Sequence, residues 1–304
     1  MTDLAPPRRA TLSVVVPTYG RDAILIETLR CLASLEPPPD EIVVVDQTRQ
    51  HSGTTEQELR DLERSGKIRW LLRRSPSIPG AMNDGLRAAT GEIVLFCDDD
   101  VVPVADFIRA HIEAHRRSPG SIVAGQVIQP GEVPAALIGS EFEFRSTVPQ
   151  VAHEFIGCNF SLSRQLLIEV GGFDERFVGA GFRYERELSA RASRSGLGIM
   201  FNPSASVRHL RASQGGTRAW GDHLRTIRPS HAVGEYYYLL RARGRSGRLR
   251  EALARPLRAV RTRHHLRRPW WIPVTLVAEV AGFLWALALA ASGPKLLNPE
   301  SGSH

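Results

Sequence analysis

The sequence predicts an α/β fold with a mostly parallel central sheet flanked by helices. Three observations carry this expectation. Short apolar runs alternate four times with helical spacings between Leu12 and Arg117, the pattern that right-handed βαβ crossovers produce. The runs are short and bounded by turn signals, which suits buried strands. Polar and acidic residues follow the runs, and a parallel sheet places its ligands off those carboxyl ends.

In chain order, Leu12–Val16 is the first strand and ends at Pro17-Thr18-Tyr19-Gly20-Arg21. Helical spacing from Ile24 to Leu35 stops at Glu36-Pro37-Pro38-Pro39. Ile42–Val45 is a second strand closed by Asp46, Thr54–Ser65 a helix stopped by Gly66, and Ile68–Leu72 a third strand. A helix from Pro79 to Ala89 is entered through Pro79-Gly80. The strand Ile93–Phe96 then runs into Asp98, Asp99 and Asp100, and a helix follows from Ala105 to Arg117. Three adjacent carboxylates repel one another. A hard divalent cation such as Mg²⁺ or Mn²⁺ relieves that repulsion; an acidic turn or helix start is the alternative.

Beyond a further strand, Ile122–Ile128, the chain is irregular through Pro149. A short helix and Gly171-Gly172-Phe173-Asp174-Glu175 follow the segment Phe155–Arg164. A helix from Tyr184 to Ser195 carries Glu185 and Glu187. Gly198–Phe201 is a strand, and Val207-Arg208-His209 precedes a flexible Ser213–Thr217.

Several functions are excluded. No GxGxxG follows the first strand and no GxxxxGK[ST] loop occurs. Gly179-Ala180-Gly181 sits in a loop-like stretch. His111 and His115 depart from HExxH because the glutamate is displaced by one, so they read as two histidines on an exposed helix face. Cys31, Cys97 and Cys158 form neither a disulfide framework nor a zinc spacing, which implies a reducing compartment. The first apolar run is too short for a signal-peptide core.

The net charge of +7 is unevenly spread. Arg241–Arg268 holds 11 arginines against one acid, Glu251, which is more than the whole excess, and the rest of the chain is close to neutral and slightly acidic. Leu249, Leu253, Leu257 and Val260 form an apolar stripe among those arginines, interrupted by Pro256. Such a helix suits an anionic membrane surface, and a solvated helix packing on the domain is the alternative. Nucleic acid is not expected, because no aromatic residues interleave the arginines. From Trp270 and Trp271 to Ser292 the chain is nearly apolar and long enough to span a bilayer. Glu279 in its middle costs about 2.5–3.5 kcal/mol on insertion scales.

From SVVVPTYGR through EIVVVDQT, AMNDGLRAATGEIVLFCDDDVVP, GCNFSLSR and GGFDERF to RHLRASQGGTR, the chain resembles the inverting family 2 glycosyltransferases of GT-A fold. The resemblance covers Leu12 to Arg241. It implies a nucleoside-diphosphate sugar donor and a divalent metal, Mn²⁺ or Mg²⁺. Thr18 and Tyr19, with Pro17 and Arg21, would line the donor pocket, and Asp46 would bond the base. Gly80, Asn83, Asp98 and Asp99 fall at further donor positions. Asp100 and His209 match the metal positions; Cys158 and Asn159 lie in the loop expected to face the acceptor. Glu185 takes the place of the family's catalytic Asp, with Tyr184 replacing the preceding Glu, and Met82 stands where Arg is usual.

Within the helix, Glu187 lies about 200° round from Glu185. Tyr184, with an ordinary pKa near 10, is a poor base. The expectation is a catalytic domain over 1–240, with a donor half over about 10–128 and an acceptor half over about 129–240, then a membrane-associating tail over 241–304. The acceptor is expected to be a polysaccharide, glycolipid or lipid-linked glycan, reached from the cytoplasmic side of the membrane by a peripheral or single-span protein. The alternatives are a sugar-nucleotide-binding protein without transferase activity and a sugar nucleotidyltransferase. The latter is expected to show an early Gly-rich loop with Arg and Lys, which Pro17–Arg21 does not.

Overall fold

The valine-rich runs form the middle of a single sheet. The computed structural model describes residues 9–136, 142–220, 226–241 and 247–298. Arg243 and Arg245 of the basic run lie outside the described residues, as does the side chain of Leu249. Strands β1 (Leu12–Thr18), β2 (Glu41–Asp46), β3 (Arg69–Leu72) and β4 (Ile93–Cys97) pair in parallel in the order β3-β2-β1-β4. Helices α1 (Ala23–Ala33), α2 (Gly53–Arg64) and α3 (Ile78–Ala88) make the crossovers. Alternate side chains serve opposite faces. Val15, Val43, Val45, Val94 and Phe96 pack toward α3, while Val14, Val16, Val44 and Leu95 pack toward α1. Burial on both faces explains why these runs are continuous rather than alternating.

Beyond β4 the sheet becomes mixed. It continues through β5 (Val101–Pro103), α4 (Phe107–Arg117), β6 (Ile122–Ile128), β7 (Gln150–Ala152), β8 (Asn159–Ser163) and β9 (Ile199–His209). β8 lies antiparallel between β4 and β6, and β9 runs parallel to β6 but antiparallel to β5 and β7. The all-parallel arrangement therefore belongs to the first half, and in the second half β6 and β9 are the parallel pair among mostly antiparallel neighbours. Inserting β8 sets Phe96 opposite Phe160, with ring centroids 5.0 Å apart, and Phe173 closes the cluster edge-on. β9 also extends well past the expected Gly198–Phe201 and absorbs Val207-Arg208-His209.

The histidines of α4 are not on an exposed face. His111 is fully buried. Its Nε2–H donates to Asn159 Oδ1 at 3.0 Å, and its Nδ1 lies 2.8 Å from Ser161 Oγ, which also meets His115 Nε2 at 2.8 Å. Burial holds His111 down to about 3, aided by His115, and His115 down to about 4. Both rings are neutral struts between α4 and β8.

Helices α5 (Arg164–Glu169), α6 (Tyr184–Arg194) and α7 (Ala232–Arg241) complete the layer over α3. α8 (Gly247–Val260) contains Pro256, and α9 (Arg263–Arg267) leads to α10 (Trp271–Ala291). α10 is long and apolar enough to cross a membrane. One of its faces nevertheless packs on α7: the Tyr236 and Phe283 rings meet at 5.4 Å. Glu279 is buried and paired, accepting from Tyr236 Oη at 2.8 Å and lying 2.9 Å from Arg255 Nε. The chain then returns to the body, where Leu297 is buried and donates its N–H to Gly171 O.

Gly85 lets α3 approach β1, since a Cβ there would sit 2.2 Å from Val15 Cγ1. Helix propensity alone favours alanine by about 1 kcal/mol, whereas overpacking a core costs about 1–3 kcal/mol. Gly85→Ala is therefore expected to lower stability by about 1 kcal/mol net. Urea unfolding would read this as a lower midpoint; an unchanged or higher midpoint would show that α3 can shift off β1.

Candidate active site

The carboxyl ends of β1 and β4, the end of β9 and the start of α6 enclose a cleft of about 540 Å³. Its floor is the acidic run, and each of the three acids has a different neighbour. Asp99 faces β1, accepting from Thr18 Oγ1 at 2.6 Å and lying 3.3 Å from Arg21 Nε. Burial still pushes it up to about 7, against the pull of Arg21 and Thr18. Asp100 faces β9. Its Oδ1 is 3.1 Å from His209 Nε2, and its Oδ2 accepts the Ala212 N–H at 2.8 Å. Despite the upward push of burial, His209 and that N–H hold Asp100 below the usual carboxylate range. Asp98 opens to the cleft, and burial with Asp100's charge raises it to about 6, against His209.

Asp98, Asp100 and His209 offer ligand atoms that all lie within 4.8 Å of one another. Two carboxylates and an imidazole form a donor set that a divalent cation accepts. The proton on His209 is placed to allow it. Gln129 Oε1 lies 3.0 Å from His209 Nδ1 and accepts from it, so Nε2, 3.1 Å from Asp100 Oδ1, is the nitrogen that would face a cation once its own proton leaves. Without a cation the neighbouring carboxylates outweigh burial and raise the His209 pKa, so a bound metal would take the place of a proton.

The stretch Ser213–Thr217, expected to be flexible, is docked over this floor. Gly216 N–H donates to Tyr19 O at 2.7 Å, and Arg21 Nη1 donates to Gln214 O. Gly215 has φ +72, and a Cβ there would meet Gly20 O at 2.3 Å, so glycine is required at this contact.

Glu185 stands on a different wall, in the first turn of α6. Burial, then the charge of Asp98, pushes its carboxyl up to about 7, while its own N–H and the Gly157 N–H pull the other way. The Tyr184 ring is buried beside it, and burial, then the charge of Glu185, holds the Tyr184 hydroxyl well above its ordinary pKa and so protonated. Nearby carboxylates are committed elsewhere. Glu187 is paired with Arg191 at 2.7 Å; Asp174 accepts from Tyr237 Oη, the Arg176 N–H and the Lys295 N–H.

The cleft gathers Pro17, Thr18, Tyr19, Arg21, Asp98, Asp99, Asp100, Cys158, Glu185 and His209. Four expected residues lie elsewhere. Asn159 is fully buried, with Nδ2 donating to Gln126 O and Ala205 O and Oδ1 accepting from His111. Asn83 is likewise saturated by Phe173 N, Phe173 O and Glu175. An amide with every donor used has nothing to offer a ligand. Gly80 gives its N–H to the Ser77 cap of α3 and packs under the Arg73 guanidinium. Asp46 lines an adjoining cavity that shares Gln47 with the cleft, and its carboxylate accepts from Trp70 Nε1 and lies 2.7 Å from His51 Nε2. Gln129, Phe182 and His231 were not singled out by sequence. Gln129 alone carries a signal, being the first polar residue after the Ile122–Ile128 run.

Comparison with known proteins agrees with this architecture. A mannosyltransferase of Pyrobaculum calidifontis, solved with GDP-Man and Mn²⁺, superposes with a TM-score of 0.55 over 96% of this chain and 82% of its own, at 23% identity. Staphylococcus aureus TarS residues 1–349, solved with UDP-GlcNAc, gives 0.58 over 89% and 91%, at 15% identity. Validoxylamine A glucosyltransferase of Streptomyces hygroscopicus is 28% identical over 56% of this chain and 45% of the relative. A glucosyl-dolichyl phosphate glucuronosyltransferase of Haloferax volcanii is 23% identical over 65% and 68%. A Campylobacter jejuni GalNAc(5)-diNAcBac-PP-undecaprenol β-1,3-glucosyltransferase is 25% identical over 55% and 56%. The chain thus spans roughly half to two thirds of these relatives' length. The family model of glycosyl transferase family 2 matches residues 13–171, more than half of the chain, and with the acidic floor and the GT-A-like sheet around it this places the chain in glycosyl transferase family 2.

Proposed function

We propose that this glycosyltransferase moves a sugar, with inversion, from a nucleoside-diphosphate donor to a lipid-linked or glycan acceptor, using Mn²⁺ or Mg²⁺. The observation that carries the reading is a single cleft with two chemistries. The Asp98–Asp100–His209 cluster stands at the ends of β4 and β9, and a carboxyl raised to about 7, Glu185, stands at the start of α6. Inversion needs a leaving group on one face of the sugar and an activated hydroxyl on the other. The metal, when bound, supplies Lewis-acid stabilisation of the charge developing on the departing diphosphate.

The protein's own groups do the rest. Asp98, Asp100 and His209 would hold the cation, and Gln129 fixes the His209 tautomer. Arg21 ties the Asp99–Asp100 pair to the loop over the donor side. Glu185 removes the acceptor hydroxyl's proton as the bond to the sugar forms, and the Gly157 N–H and its own N–H favour its carboxylate form. Relatives named for dolichyl-phosphate and undecaprenol-linked substrates support a lipid-linked acceptor. The arginine-rich α8–α9 segment beside Trp270 and Trp271 supports placement at the cytoplasmic face of a membrane.

Two experiments test this. Calorimetry with Mn²⁺ and UDP or GDP is expected to show metal-dependent binding that Asp100→Ala abolishes. Gln129→Leu is expected to weaken Mn²⁺ binding about 10- to 100-fold, as loss of a partner behind a ligand typically does. Unchanged metal affinity in both variants would remove this cluster as the metal site.

The second concerns the base, which must be deprotonated to act. With Glu185 raised to about 7, kcat/KM should rise with pH through about 7 and fall on the acid side. Glu185→Gln is expected to remove that limb and lower kcat about 10²–10⁴-fold, leaving nucleotide affinity intact. Turnover by Glu185→Gln within about threefold of wild type, far short of a general-base contribution, would place the base elsewhere.

A further inference from the structure

A second cavity of about 480 Å³ lies behind the wall that carries Glu185, bounded by the Phe182–Arg183 turn and helices α7, α8 and α10. Phe182 and His231 line both this cavity and the cleft. Their rings meet edge-on at 6.2 Å and form a shared wall. The next residue, Arg183, has φ +76 and stands just before α6. This left-handed turn sends neighbouring side chains to opposite sides. Tyr184 and Glu185 line the cleft, and Arg183 lines the second cavity. Such a conformation is unfavourable for a residue with a side chain and persists where the surrounding structure holds it in place.

Among the described residues, four guanidinium groups, from Arg183, Arg228, Arg255 and Arg258, line this cavity against three carboxylates. The carboxylates anchor Arg183 and Arg255 in place, while Arg258 lies 3.8 Å from Glu251. Glu235 lies 2.6 Å from Arg183 Nε and 3.6 Å from Arg255 Nη1, and Glu279 lies 2.9 Å from Arg255 Nε. Each guanidinium has five N–H donors in a fixed fork, so donors remain after these bonds are made. Positioned forks with donors to spare match a phosphate.

Outside the cavity, the same helices present apolar side chains to solvent. α10 buries Thr275, Ala278, Gly282 and Ala286 and exposes Val277, Val280, Leu284 and Leu287 on its other side. Leu253 and Leu257 of α8 are exposed as well, at 68% and 58%. An apolar surface beside an arginine-lined cavity fits an amphiphile with a phosphate head, and the shared wall puts that head next to the catalytic cleft.

We infer that this cavity binds the phosphate or diphosphate of a lipid-anchored acceptor. The lipid chain lies along the exposed faces of α8 and α10, and the reacting hydroxyl reaches Glu185 past the Phe182–His231 wall. α10 then lies in the plane of the membrane surface, because its other face is committed to α7 through the Tyr236–Phe283 contact and the Glu279–Arg255 pair. The inference rests on the transferase reading above and names where its acceptor docks.

The test uses the full chain and three kinds of vesicle: phosphatidylcholine alone, phosphatidylcholine with a polyisoprenyl phosphate, and phosphatidylcholine with phosphatidylglycerol at matched charge. Inorganic phosphate serves as a soluble competitor. Flotation is expected to favour the polyisoprenyl-phosphate vesicles. The double variant Arg228→Ala, Arg258→Ala changes two exposed positions and is expected to lose about tenfold or more of that affinity. Mn²⁺-dependent UDP or GDP binding should persist in the variant, which also reports that it folds.

Equal flotation of both proteins on the polyisoprenyl-phosphate vesicles would overturn the inference. Equal binding to phosphatidylglycerol vesicles, lost equally in the variant, would reduce the cavity to part of a general anionic-surface patch and overturn it too. Binding of inorganic phosphate as tight as that of the lipid would overturn the lipid assignment. Absence of nucleoside-diphosphate binding in the wild-type protein would strike the transferase reading, and the acceptor role with it, even where lipid selectivity remains.

Discussion

Three consecutive carboxylates at the end of a buried strand must be separated or neutralised, and the surrounding fold is arranged around that demand. Asp99 is tied back to β1 by Thr18 and Arg21, and Asp100 is tied to β9 by His209 and the Ala212 N–H. Asp98 remains open to the cleft. The same contacts fix the loop after β1 and the end of β9, and they draw the Gly215–Gly216 turn against Tyr19 and Gly20. Repulsion among like charges thus positions groups that lie far apart in the chain.

The back of the cleft obeys a second rule, that buried polar groups must be satisfied. Asn83 holds the Phe173–Glu175 loop, Asn159 joins β6, β9 and α4, and Asp174 receives the C-terminal return through Lys295. None of these has capacity left for a substrate. The pairing of Glu187 with Arg191 leaves Glu185 as the carboxylate of α6 that faces the cleft. The C-terminal helices follow the same logic. Glu279 in a membrane-length apolar helix is costly to bury alone, and its partners Arg255 and Tyr236 show why one face of α10 stays on the protein.

Much of this was legible in the residues. The four parallel strands follow from short valine-rich runs separated by helical spacings, and the acidic floor follows from placing polar residues at strand ends. Strand direction was not legible in the second half. An apolar run such as Phe160–Leu162 reads the same whichever way it pairs, and its direction shows only in the ladder with β4, which sets Ile93 opposite Ser163 and Cys97 opposite Asn159. Asn83 and Asn159 sat at expected motif positions, yet a motif does not reveal whether an amide points toward the ligand or away from it. His111 and His115 read as exposed because their helical face cannot be judged polar or buried until Ser161 and Asn159 arrive from a strand 46 to 50 residues away. Gln129 and His231 act through contacts that sequence spacing does not encode.

The neutral His111–Ser161–His115 strut has a consequence for acid tolerance. Both histidines titrate well below the ordinary 6.5 when folded, at about 3 and about 4, so the unfolded chain takes up protons first as the pH falls. Their contribution to stability is complete above about 6.5 and is withdrawn progressively as the pH drops toward those folded values. This weakness lies where α4 meets β8, and β8 forms part of the sheet behind the cleft. Acidity below about 6.5 therefore weakens the α4–β8 contact, and with it the sheet behind the cleft, in a range that opens where the Glu185 carboxyl, raised to about 7, is already taking on its proton.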